Sequence, residues 1–187
     1  MKGGNKRKLH IALIVLLITT NHALRTTFLM NLQIFSQVAL TCKDPLITEE
    51  FYTKYFGFKR ARIANLPDGD RIVFIKMGDS AFYLELFKAK EELPVPPPTN
   101  DGYQFPSVRH LAFKVDDVDA KLAEMGAEAK ITLGPLNFDD YIPGWRTVWL
   151  ADPDSRIVEI SQGFIDQENP PNLAAELANR METARVN

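Results

Sequence analysis

Outside the first thirty residues the chain has one histidine, His110; the others are His10 and His22. Two acids stand out for their neighbours. Glu85 lies between Leu84 and Leu86, and Glu159 between Val158 and Ile160. A carboxylate at the centre of an apolar strand needs a partner if it is buried. Taken alone, His110 reads better as a hydrogen-bonded core residue than as a ligand, and the acids as surface charges. Their placement in the chain argues otherwise. When "QVALTCKD" (37–44) is laid over "HLAFKVDD" (110–117), the apolar positions coincide and both end in Asp. Gln37 then falls on His110 at an offset of 73. "RIVFIKMGDS" (71–80) laid over "RTVWLADPDS" (146–155) matches at an offset of 75, and each block precedes a strand carrying one of the two glutamates. Gln37, Glu85, His110 and Glu159 form a mainly oxygen donor set with one imidazole. That set suits a divalent ion such as Zn, Ni, Co, Mn or Fe(II), with positions left for water or substrate. It does not suit structural zinc, which favours cysteines; the chain has only Cys42.

The elements that must position these residues follow from the repeat. Each unit reads as strand, helix, then three strands, so the fold class is α+β with two tandem βαβββ modules. The first strands are expected at 35–42 and 108–115. Asp44 and Asp117 suit helix N-caps, Pro45 the first helical turn, and Gly57 and Gly126 the helix stops. Ile47, Phe51 and Tyr55 are expected on the buried face of the first helix, and Val118, Leu122 and Met125 on that of the second. "LPDGD" (66–70) and "MGDS" (77–80) are turn signals. Modules of 34–88 and 107–163 are joined by a proline-rich linker, 89–106. A tail, 164–187, carries a helix with Leu173, Leu177 and Met181 on one stripe, expected to dock on the domain or on a second subunit.

Side chains alternate across a strand. Gln37, Ala39 and Thr41 share a face, as do His110, Ala112 and Lys114. The opposite, apolar sets should pack on the helices. Each module thus offers one donor from its first strand and one from its last.

The whole chain carries a net charge of −2, while residues 1–29 hold five basic residues and no acid, leaving −7 for the rest. An acidic body excludes nucleic acid as a partner class, since that needs a basic face. A single cysteine forbids an intrachain disulfide and fits a reducing, cytoplasmic setting. Residues 1–30 pair Lys6, Arg7 and Lys8 with the apolar run Leu9–Ile18, a signal-like pattern too short for a firm membrane span. They read either as an export or anchor segment or as an over-extended start ahead of Met30.

Over about residues 34–163 the sequence resembles the vicinal oxygen chelate superfamily, also called the glyoxalase, bleomycin-resistance and dioxygenase superfamily. The likeness rests on "SQVALTCKDPLITEEFYTKYFGF", "YLELF", "VRHLAFKVDDVDAKL" and "GWRTVWLADPDSRIVEISQG". It implies paired βαβββ modules forming a cupped, open barrel around a metal. Gln37, Glu85, His110 and Glu159 resemble, in type and order, the metal set of eukaryotic-type glyoxalase I (lactoylglutathione lyase). That likeness implies a metal-dependent lyase or isomerase that moves a proton through a metal-bound enediolate of a 2-oxoaldehyde–thiol adduct. Glu159 is then the base, with Glu85 as the alternative, and His110 and Gln37 hold the ion. Thr41, Lys114, Trp145 and Arg146 are candidates to touch substrate, the last two together with Tyr141 as a lid. Where glyoxalase I grips glutathione with two arginines and an asparagine, this chain has Thr41, Pro106 and Ala89. The rival readings are an Fe(II) dioxygenase of the same superfamily, which would want a second histidine, and a metal-free small-molecule binding or resistance protein. A homodimer is expected.

Overall fold

The computed structural model describes residues 34–186. The leader, with its signal-like run, lies outside them. Among the described residues no helix is long and apolar enough to cross a membrane.

The repeat folds as read. The first module runs β1 (Gln37–Cys42), α1 (Pro45–Phe56), β2 (Phe58–Asn65), β3 (Arg71–Met77) and β4 (Tyr83–Lys88). The second runs β5 (Leu111–Lys114), α2 (Val118–Met125), a short 3-10 turn (Gly126–Glu128), β6 (Ile131–Asn137), β7 (Arg146–Ala151) and β8 (Ile157–Gln162). A last helix, α3, spans Leu173–Val186. Each module is one mixed sheet, ordered β1-β4-β3-β2 and β5-β8-β7-β6. In both, the first strand pairs parallel with the last, and the other pairs are antiparallel. The registers repeat too. Glu85 pairs with Ala39 and Phe74, and Glu159 with Ala112 and Trp149. The two sheets are separate; within one chain no closed barrel forms among the described residues.

Local chemistry explains the helix ends. The Asp44 carboxylate accepts from the Leu46 N–H, and that of Asp117 from the Ala120 N–H. Each satisfies a donor that the first helical turn leaves free. Gly57 ends α1 in the left-handed conformation (φ 69°), and Gly126 follows α2 with φ 56°. The buried stripe of α1 differs from the expected one. Ile47 is exposed, and Thr48, Phe51, Tyr52 and Tyr55 face inward. The cause is tertiary: the Thr48 hydroxyl donates to Asp154 of the other module at 2.9 Å. β5 is also shorter than the expected 108–115, so His110 stands just before it. Leu173, Leu177 and Met181 remain solvent-exposed, so the expected docking of α3 on its own domain does not occur within the chain.

The modules share one core. Leu40, Cys42, Leu84 and Leu86 of the first sheet join Val148, Leu150, Val158 and Ile160 of the second in a single buried cluster. Phe113 of β5 meets Phe56 at 4.5 Å and Phe58 at 6.0 Å between ring centroids. A polar clamp closes the same seam. Asp152, in the turn before β8, accepts from Arg156 Nε at 2.8 Å and from the Tyr52 hydroxyl at 3.2 Å. Arg156 also donates to the Thr41 carbonyl at 2.7 Å. Burial pushes the Asp152 carboxyl up, with the Arg156 charge opposing it. Breaking one partner of a buried ion pair leaves the other charge uncompensated. Arg156→Met is therefore expected to destabilise the fold by about 3 kcal/mol, read as a lower urea midpoint. An unchanged midpoint would show that the clamp is dispensable.

Candidate functional site

Because Leu84 and Leu86 point into the shared core, Glu85 between them points away from it. The same alternation along β1 leaves Gln37, Ala39 and Thr41 exposed while Leu40 and Cys42 are buried. On the second sheet Val158 and Ile160 face the core, and Glu159 faces the opposite side. The modules therefore carry their candidate ligands separately, Gln37 and Glu85 on the first sheet and His110 and Glu159 on the second, each pair turned away from the shared core. Consistent with that, among the described residues no three His, Cys, Asp or Glu side chains cluster as a metal site.

The second pair is in contact. His110 Nε2 lies 2.8 Å from Glu159 Oε2. His110 Nδ1 lies 2.8 Å from the Asp101 carbonyl oxygen, which can only accept, so Nδ1 carries a proton. Nε2 is thereby presented to Glu159. The other oxygen, Oε1, accepts from the Thr147 hydroxyl at 2.9 Å. The Glu159 carboxylate holds the His110 imidazolium above its ordinary pKa, against the effect of burial. Burial would raise the Glu159 carboxyl, but hydrogen bonds from His110 and Thr147 outweigh it and hold it below the usual range. Trp149 lies opposite Glu159 on β7, its ring centroid 6.3 Å from that of His110.

The donor chemistry fits a divalent ion. A ligating histidine whose second nitrogen donates to a backbone carbonyl is the common arrangement around metals. One chain brings only two of the four donors together, short of the three or four protein ligands usual for zinc.

Other candidates fall in three places. Thr41 and Lys114 are exposed on the same strand faces as Gln37 and His110. The Trp145 Nε1–H donates to Ser161 Oγ at 2.9 Å. Arg146 is held by Asn137 at 2.7 Å and Asp119 at 2.8 Å, so its guanidinium is engaged within the fold. Tyr141 is exposed.

Sequence reasoning missed Asp101, Gly102, Thr147 and Trp149. The linker's proline content reads as a spacer, yet it supplies the carbonyl that sets the His110 tautomer. Arg109 grips the Asp101 carboxylate with Nε at 2.9 Å and Nη2 at 3.0 Å. Gly102 has φ 129°, and a Cβ there would sit 2.2 Å from the Arg109 carbonyl oxygen. No side chain fits without moving that backbone. Gly102→Ala should displace Asp101 from His110 and weaken divalent-ion affinity about tenfold or more, as loss of a ligand's hydrogen-bond partner does. Isothermal titration with zinc would read it, and equal affinity would remove Asp101 from the site.

Fold and site together define a protein of paired βαβββ modules with a largely buried histidine–carboxylate pair on the sheet face turned away from the shared core. The chain belongs to the glyoxalase/bleomycin resistance protein/dioxygenase superfamily, whose family model matches residues 34–155. Similar solved structures include a glyoxalase/dioxygenase from Nostoc punctiforme, 25% identical with a TM-score of 0.56, covering 72% of this chain and 94% of that one. A glyoxalase family protein from Enterococcus faecalis is 26% identical with a TM-score of 0.53, covering 69% of this chain and 97% of that one. The genomically encoded fosfomycin resistance protein of Listeria monocytogenes, solved with Mn(II) and sulfate, shares the fold at 16% identity and a TM-score of 0.50, covering 72% of this chain and 95% of that one. No curated protein matches the chain significantly.

Proposed function

We propose that the protein is a divalent-metal-dependent lyase or isomerase of glyoxalase type that works as a homodimer. Each site would take His110 and Glu159 from one chain and the partner subunit's Gln37 and Glu85. The observation that carries this reading is the His110–Glu159 contact on the second sheet, with no third His, Cys, Asp or Glu clustered with it among the described residues. The superfamily's fosfomycin resistance member from Listeria, solved with Mn(II), supports a divalent ion as cofactor.

When bound, the ion would act as a Lewis acid toward two neighbouring substrate oxygens. The chain's own residues do the rest. The Asp101 carbonyl fixes the His110 ring, and Thr147 orients the Glu159 carboxylate. Glu159, with its carboxyl held in the ionised form, would take a proton from one substrate carbon and return it to the next. The partner subunit's Glu85 is the alternative base. Ala39 and Ala112, in register with the two glutamates, leave room for a small substrate above the sheets.

The test begins with protein purified without chelator. Metal analysis should find about one divalent ion per chain, and native mass should give a dimer. Folded protein with no such ion would overturn this reading and leave the small-molecule binder. With metal present, turnover of methylglyoxal with a panel of thiols supports the lyase, whereas oxygen consumption would replace it with the dioxygenase.

A further inference from the structure

Trp149 carries a donor that the chain leaves unmatched. The residue is 6% exposed, and its Nε1–H has no hydrogen-bond partner among the described residues. Buried donors are almost always paired, and leaving one unpaired is costly. The other tryptophan, Trp145, is satisfied by Ser161. The Trp149 indole stands over the reactive pair: it is the cross-strand partner of Glu159, and its N–H contributes to keeping that carboxyl ionised without reaching hydrogen-bond geometry.

The internal repeat serves as a control. The counterpart of Trp149 in the first module is Phe74, which lies opposite Glu85 in the same register. The counterpart of Thr147 is Ile72. Only the module holding His110 and Glu159 has donors at these two positions. The Thr147 hydroxyl has two acceptors within reach, Glu159 Oε1 and the Ile160 carbonyl. Trp149 has none. Both Glu159 oxygens already face a donor, His110 at one and Thr147 at the other. An indole N–H cannot ligate a metal and cannot accept. What it can receive is an oxygen arriving beside Glu159. Lys114, on the same strand face as His110, makes an anionic oxygen acceptable there.

We infer that Trp149 Nε1–H is a specificity donor for a substrate oxyanion, so the site selects small molecules that carry a negatively charged oxygen next to the reacting carbon. This rests on the proposed function for the reaction, but not for the binding. Water is the other acceptor such a donor could take, and the experiment separates the two.

With two tryptophans in the chain, an indole-labelled sample gives two side-chain N–H resonances, assigned with Trp149→Phe. That substitution copies the Phe74 of the sister module, and the unmoved Trp145 resonance reports that the fold is intact. The protein is titrated first with zinc and then with oxalate, an oxyanion with neighbouring oxygens. The expected result is a downfield shift of the Trp149 resonance on adding oxalate, with Trp145 unmoved. Trp149→Phe should weaken oxalate binding about tenfold to hundredfold, as loss of a hydrogen bond to a charged group does, at unchanged zinc affinity. A Trp149 resonance that does not move further when oxalate follows zinc would overturn the inference. Equal oxalate affinity in Trp149→Phe would also overturn it and leave water as the acceptor. Zinc uptake is measured on the same samples: an oxalate response at Trp149 without zinc uptake sustains this inference while removing the metal reading.

Discussion

Chains carrying His110→Ala and chains carrying Glu85→Ala should each fail to bind zinc tightly, and a mixture of the two should recover it. The reason is geometric. His110 and Glu85 belong to different sheets, each turned away from the core the sheets share, and no three His, Cys, Asp or Glu cluster among the described residues, so in the proposed dimer a complete ligand set takes the second sheet of one chain and the first sheet of another. In a mixed dimer one site collects both substitutions and the other collects none. Random reassortment makes about half the dimers mixed, so about a quarter of the sites are restored. Zinc titration after unfolding and refolding the mixture measures that fraction directly, without knowing the substrate. A site assembled within one chain gives no recovery at any ratio, and that result would end the two-chain reading.

Glu159→Gln should abolish turnover while leaving much of the metal binding. The amide keeps the size of the carboxylate and one oxygen that can still ligate, with its NH2 able to donate to the Thr147 hydroxyl oxygen. It loses the ability to take a proton at neutral pH. Removing a general base typically costs about 10²- to 10⁴-fold in rate. Methylglyoxal and thiol turnover by metal-loaded protein is the measurement, with metal content determined alongside. A rate within a few fold of wild type would move the base to Glu85, and the same substitution there would then carry the loss.

Much of this architecture was legible from residue types alone. The repeat, the caps Asp44 and Asp117, and the alternation of β1 and β5 are local signals, each set by chemistry within a few residues. What escaped depends on distant partners. Thr48 is buried in place of Ile47 because its hydroxyl meets Asp154 across the seam, and no helical period encodes that. His110, Glu159, Gln37 and Glu85 could be named as a set because the repeat aligned them. Their separation within one chain could not be named, because it depends on how the modules pack. Asp101 and Gly102 stayed hidden in a stretch whose prolines dominate its composition. Leu173, Leu177 and Met181 form an apolar stripe as read, but it stays exposed among the described residues.

The mismatch between Phe74 and Trp149, and between Ile72 and Thr147, has a stereochemical consequence. A site made from two identical half-sites would accept a small dioxygen compound equally well in either of two orientations. A base placed on one side would then meet either prochiral face. Here one half offers an indole and a hydroxyl where the other offers a ring and an aliphatic group. The near-twofold axis through such a site is broken at the substrate. In the proposed reaction the molecule would enter one way round, and a proton returned by Glu159 would arrive on a single face, giving a product of one handedness.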